Sequence, residues 1–276
     1  MPEPSAAGSA STDPAALLAL AVELAVEAGT LVQTRRASVA TMTVSATKST
    51  PTDVVTESDT AAESLIRALL AQRRADDGVL GEESAETSGT SNVVWVVDPI
   101  DGTVNYLYGI PQYAVSIAAA HDDVIVAGVV HNPVTGETFT ATRGGGAFLD
   151  GRKLQVSPVT ALDATLVGTG FGYDPDRRAA QARVLVDVLP VVRDIRRFGA
   201  ASLDLCAVAA GRIDAYFERG LKPWDVAAGG LIAEEAGAVV TGLRGEPAGE
   251  TMTVAAPPAV AGPLVTLLER LNADTD

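Results

Sequence analysis

Eight consecutive residues, Asp98-Pro99-Ile100-Asp101-Gly102-Thr103-Val104-Asn105, offer two carboxylates three positions apart, then a glycine, a hydroxyl and an amide. The run before them, Val93-Val94-Trp95-Val96-Val97, is apolar and β-branched, as in a buried strand. Pro99 has no N–H to carry a ladder onward, so Asp98 stands at the carboxyl end of that strand, where open α/β sheets keep their ligands. Gly102 lets the backbone approach a ligand closely. A helical turn opening near Thr103 would aim N–H groups at an anion. Two carboxylates beside an anion pocket suit a hard cation bridging protein to phosphate, as Mg²⁺ does. The plainer reading is a loop in which both aspartates only cap turns.

Other acids stand in similar places. Val79-Leu80-Gly81-Glu82-Glu83-Ser84 is a short strand running into two glutamates, which are either a solvated acidic turn or ligands. Asp225, after Pro223-Trp224, either caps a helix over 226–236 or joins the acidic set. Glu218 ends a strand over 214–218. Lys48 and Asp53 sit in a polar stretch that reads as an exposed loop.

Taken in order, Gly81-Glu82-Glu83-Ser84, Asp98-Pro99-Ile100-Asp101-Gly102-Thr103-Val104-Asn105 and Trp224-Asp225-Val226-Ala227-Ala228-Gly229 resemble the three motifs of the inositol monophosphatase family of Mg²⁺-dependent phosphatases. The resemblance runs from about residue 17 to about residue 271. It implies a layered α-β-α-β-α sugar-phosphatase fold, a homodimer, lithium sensitivity and two to three Mg²⁺ per site. It implies Glu82, Asp98 and the Ile100 carbonyl on one ion, Asp98, Asp101 and Asp225 on a second, and a weaker third near Glu82. Thr103 and Glu82 would hold the attacking water, and Asp53 would orient Thr103. The Gly102 and Thr103 N–H groups would cradle phosphate, with Lys48 and Glu83 in supporting places. Gly199-Ala200-Ala201 and Ala215-Tyr216-Phe217-Glu218 look like the segments that contact inositol hydroxyls. Relatives with another substrate tend to carry an acid where this chain has Ala200, so myo-inositol 1-phosphate is the favoured ester. Fructose 1,6-bisphosphate and histidinol phosphate are alternatives within the class, and a non-catalytic regulatory protein on the same fold is the alternative outside it.

These residues need elements to hold them. Asp13-Pro14 opens a long helix to about residue 36 with Leu17, Ala21, Leu24, Ala28 and Val32 at helical spacing. Ser58 or Asp59 caps a second helix carrying Ala62, Leu65, Ile66, Leu69 and Leu70. Residues 106–111 read as a loop. Strands are expected over 114–120, 125–131, 138–142 and 147–149, with the Gly144-Gly145-Gly146 run as a hairpin turn and not a phosphate loop. A break over 151–158 precedes a strand at 165–169, a helix at 176–189, a strand at 194–198 and a helix from 199 to 210. A strand pair near Val239 and Thr253 and a helix at 259–271 close the chain. The mixture of hairpins and crossovers predicts an α+β fold with mixed sheets. It is one catalytic domain over 13–276, with a metal and phosphate half (13–150) and a substrate half (151–276), behind a disordered tail over 1–12.

The chain has 276 residues, 47% hydrophobic, and 35 Asp+Glu against 20 Lys+Arg for a net charge of −15. That excess argues against nucleic acid or an anionic membrane as a partner and for a small phosphate ester met by metal and local dipoles. The single Cys206 excludes an internal disulfide and a cysteine-rich metal site. His121 and His131 stand alone beside turns and read as structural. No run of ~18 apolar residues is free of charge, so no span is expected. No basic region precedes an apolar core at the N-terminus, and the expected compartment is the cytoplasm.

Overall fold

The computed structural model describes residues 11–38, 44–48 and 54–275. In chain order the described elements begin with α1 (Pro14–Ser38), β1 (Ala46–Thr47), β2 (Val54–Val55), α2 (Glu57–Arg73), β3 (Gly78–Gly81) and β4 (Val93–Asp101). Next come α3 (Thr103–Tyr108), β5 (Ala114–His121), β6 (Val124–His131), β7 (Thr138–Thr142), β8 (Gly146–Leu149) and β9 (Arg152–Lys153). The second half holds β10 (Leu166–Thr169), α4 (Pro175–Val188), β11 (Asp194–Arg196), α5 (Ala201–Ala209) and β12 (Ala215–Glu218). It closes with α6 (Pro223–Glu235), β13 (Val239–Thr241), β14 (Thr253–Ala256) and α7 (Pro258–Arg270).

Seven strands form one sheet in the order β3-β4-β5-β6-β7-β8-β9, parallel only between β3 and β4. Five form a second, in the order β11-β10-β12-β14-β13, parallel around β10 and antiparallel around β14, and β1 and β2 pair as a separate antiparallel ribbon. Period-2 alternation along β4 explains the layering. Val93, Trp95 and Val97 face one way, onto α1 and α2 through Leu17, Leu24, Ile66 and Leu70. Val96 faces the other way, with Leu203 and Cys206 of α5 and Leu231 and Ile232 of α6. The far side of α5 meets the second sheet through Leu205, Val208 and Tyr216. Val188 of α4 and Val260, Leu264 and Leu268 of α7 cover that sheet's outer face. The result is the α-β-α-β-α stack that the resemblance implies.

α1 is long and apolar enough to cross a membrane by length and composition. Here it buries Leu17, Ala21, Leu24, Ala25, Ala28 and Val32 against the first sheet. Its first turn is tied by the Ala16 N–H to Asp13 Oδ2 at 3.3 Å. Ser11, within the stretch expected to be disordered, accepts a 2.6 Å hydrogen bond from Arg74 on its carbonyl.

Three expectations shift. The cap of α2 is Thr56, not Ser58 or Asp59, and Asp59 is the third helical residue reaching back to it. The helical turn expected near Thr103 runs over 103–108, so residues 106–108 are helical and not part of the loop expected over 106–111, because Gly102 (φ +90°) and Gly109 (φ +74°) take left-handed conformations that open and close it. α6 starts at Pro223, so Asp225 is inside its first turn. The triple glycine is the β7–β8 turn, and the Glu235 carboxylate accepts the N–H groups of Gly144 and Gly146 at 2.7 and 2.8 Å.

Candidate active site

The ladder between β4 and β5 breaks its register between Asp98 and Asp101. That irregularity turns both carboxylates to one place at the sheet's end. Asp98 is 1% and Asp101 7% exposed. Asp98 accepts the Ile100 N–H on Oδ1 at 3.0 Å. Asp101 reaches across to the start of α5 and accepts Ala201 N–H (3.2 Å), Ser202 N–H (2.7 Å) and the Ser202 hydroxyl (2.5 Å). Asp225 accepts the Lys222 N–H at 2.6 Å, which closes the first turn of α6. Asp98, Asp101 and Asp225 each offer an oxygen, and these oxygens lie within 4.8 Å of one another.

Burial and repulsion among the carboxylates hold all three above the usual carboxylate range. Burial, then the charges of Glu82, Asp101 and Asp225, push Asp98 well above the usual carboxylate range. Burial, then Asp101 and Glu82, does the same to Asp225. Asp101 is pushed up to about 6 by burial, with the Ser202 hydrogen bonds pulling against it. Oxygen donors packed this densely fit a hard divalent cation.

Glu82 follows β3 directly and its N–H reaches the Val97 carbonyl at 3.2 Å, so the parallel β3–β4 pair sets it beside Asp98. Lys48 bridges Glu82 and Glu83 at 2.6 and 2.7 Å. Burial works against the Lys48 charge, but the two glutamates outweigh it and hold the ammonium above its ordinary range. Burial, relieved in part by Lys48, raises Glu83 to about 7.

The Thr103 hydroxyl lies 3.0 Å from Asp59 Oδ1 and 3.0 Å from the Ile100 carbonyl. Asp59 also accepts the Thr56 N–H at 2.8 Å and the Thr56 hydroxyl at 2.5 Å, so its carboxylate is fixed by three donors. Asp53, expected on Thr103, lies outside the described residues. Asp59 was missed as a site residue because the sequence reading used it only as a candidate cap for α2, a role that accounts for an aspartate at a helix start without any site. Ser202 carried no signal at all.

Asn105 ties the halves together, donating to the carbonyls of Gln112 (2.7 Å) and Phe198 (2.8 Å). This presses the loop before α5 against Gly102, where a Cβ would come within 2.9 Å of the Gln112 carbonyl oxygen and 3.1 Å of the Ala200 Cβ. Gly199 and Ala201 therefore line the same cleft as Gly102 and Thr103, while Ala200, 1% exposed, packs behind them. The cleft has a volume of about 670 Å³. In the same cleft Glu218 accepts a hydrogen bond from the Tyr216 hydroxyl. Burial pushes Glu218 up to about 7. A Cβ on Gly170 would fall 1.8 Å from Glu218 Oε2, so only glycine admits that carboxyl. Arg177, Arg197, Arg219 and Lys222 also line the cleft.

Comparisons with known proteins agree along the chain. Residues 13–275 match the model of the inositol monophosphatase family. Inositol-1-monophosphatase of Mycobacterium leprae is 48% identical over 94% of this chain and 96% of its own length. Nus factor SuhB of Xylella fastidiosa is 44% identical over 70% of each chain. The solved structure of Mycobacterium tuberculosis SuhB superposes with a TM-score of 0.82 at 45% identity, over 96% of this chain and 100% of that one. With the three motifs gathered around one cleft in this fold and the match running from end to end, the chain belongs to the inositol monophosphatase family.

Proposed function

We propose that this protein hydrolyses a phosphate monoester with Mg²⁺, and that the ester is myo-inositol 1-phosphate. The observation that carries the reading is the convergence of Asp98, Asp101 and Asp225 beside Glu82 on the floor of a cleft. Those four side chains and the Ile100 carbonyl would hold two to three Mg²⁺. Bound there, the cations supply Lewis-acid charge on the phosphoryl and leaving oxygens and make water nucleophilic near neutral pH.

The chain's own groups do the rest. The Gly102 and Thr103 N–H groups open α3 and face the phosphate oxygens. The Thr103 hydroxyl donates its hydrogen bond to Asp59 or the Ile100 carbonyl, which leaves its lone pairs to accept from the attacking water. Glu82 takes the other side of that water. Asp101 is held by Ser202 so that it cannot swing away. Glu218, held by the Tyr216 hydroxyl, and the backbone at Gly199 and Ala201 meet the polyol hydroxyls. A cleft of this size is ample for a phosphorylated six-carbon ring.

Phosphate release with Mg²⁺ from myo-inositol 1-phosphate, fructose 1,6-bisphosphate, histidinol phosphate and 2-glycerophosphate tests the reading. Preference for the inositol ester supports it, and preference for another keeps the metal chemistry but discards the substrate. D98N should cut the rate by at least about 100-fold, the upper end of what even an outer-shell partner of a metal site costs. Near wild-type activity would sink the ligand assignment. The name of the Xylella relative favours a second reading, a binding role on the same fold. No release from any ester by a protein that still binds Mg²⁺ would favour it.

A further inference from the structure

Two side chains outside the cleft hold the glutamate turn. Glu63 and Arg67 lie one turn apart on α2. Glu63 is fully buried. Its Oε2 accepts the Glu83 N–H at 2.8 Å and its Oε1 accepts from Arg67 Nε at 2.8 Å. A Cβ on Gly81 would lie 2.6 Å from the Glu63 carboxyl carbon and from each of its oxygens. The carboxylate is thus seated directly on the last residue of β3, one position before Glu82. Arg67 then spans the far side of the turn. It donates to the Thr87 hydroxyl at 3.0 Å and to the carbonyls of Ala85 and Ser84 at 3.2 and 3.4 Å.

A carboxylate is not kept at zero exposure without a compensating arrangement. Here the arrangement grips the 81–87 turn at both ends. One turn earlier on the same helix, Asp59 fixes Thr103. We propose that Glu63 and Arg67 are positioning residues: they fix the reach of Glu82 towards Asp98, Asp101 and Asp225, and so the strength with which the site holds a divalent cation. The inference rests on the metal-site reading above and is independent of which ester is cleaved.

The test is Mn²⁺ binding to the full chain by titration calorimetry and electron paramagnetic resonance, without substrate. The variants are E63A, E63Q and R67Q, with R73A, a surface change on the same helix, as control. E63A should weaken Mn²⁺ by roughly 10-fold or more, as loss of a supporting partner does at metal sites. E63Q keeps an oxygen for the Glu83 N–H and should recover most of that loss. Excess metal should restore kcat in E63A, because the ligands themselves remain. A folded E63A that binds Mn²⁺ like R73A would overturn the proposal. If E63A does not fold by circular dichroism, R67Q decides: weakened binding supports the proposal and wild-type binding overturns it. Phosphate release by the wild-type protein is scored separately. A chain that binds Mn²⁺ in this Glu63-dependent way yet cleaves nothing would refute the phosphatase reading alone.

Discussion

Glu218 shows how one residue's surroundings set its chemistry. It ends β12, is closed in by Gly170 and accepts from Tyr216. Burial raises it to about 7 from an ordinary glutamate value of about 4.3. A raised carboxylate favours the folded state at low pH and loses that contribution as pH rises. Its stabilisation is therefore fully present below about pH 4.3 and gone above about pH 7. Denaturant titrations of metal-free protein at pH 4.5 and 7.5 should show E218Q losing less stability over that interval than wild type. The difference should be at most about 3 kcal/mol at 1.36 kcal/mol per pH unit. Parallel losses would mean that Glu218 ionises freely in the fold.

At the scale of elements, α2 does two jobs through one cap. Thr56 closes its first turn and at the same time presents two donors to Asp59, whose other oxygen meets Thr103. T56A removes a cap worth typically about 1 kcal/mol and also removes the hydroxyl that steadies Asp59. Thermal melts should show the stability loss, and on the proposed mechanism kcat should fall with little change in KM, because Asp59 touches Thr103 and not the groups assigned to the ester. Loss of stability with kcat intact would reduce Thr56 to a cap. The polar reading of residues 48–59 missed this because the cap and its carboxylate are adjacent in sequence, whereas Thr103 reaches them only in the fold.

For the whole molecule, α5 and α6 lie in the interior between the two sheets. Leu203 and Cys206 belong to the first core and Leu205 and Val208 to the second. Asp101 and Asn105 cross between the halves. The expected outcome of calorimetry is one transition with equal calorimetric and van't Hoff enthalpies. Mg²⁺ at 100 times its Kd should raise stability by about 2.7 kcal/mol. Two resolved transitions would mean that residues 13–150 and 151–276 are separate folding units.

Local order was legible along the chain: the apolar run ending at Asp98, the glycine that opens α3, the helix after Pro223 and the hairpins over 114–149 all depend on neighbours a few residues away. Periodicity and turn chemistry report such neighbours directly. The meeting of Asp98, Asp101 and Asp225 came from motif order and not from any local signal, since Asp225 is far along the chain from the other two. Tertiary structure alone decided that Ser202 clamps Asp101, that Asp59 holds Thr103, that Glu63 seats the glutamate turn and that Ala200 lies behind the cleft. Each of these depends on which faces two separate elements turn to one another, and hydrophobic patterning sets that only once the layers have packed.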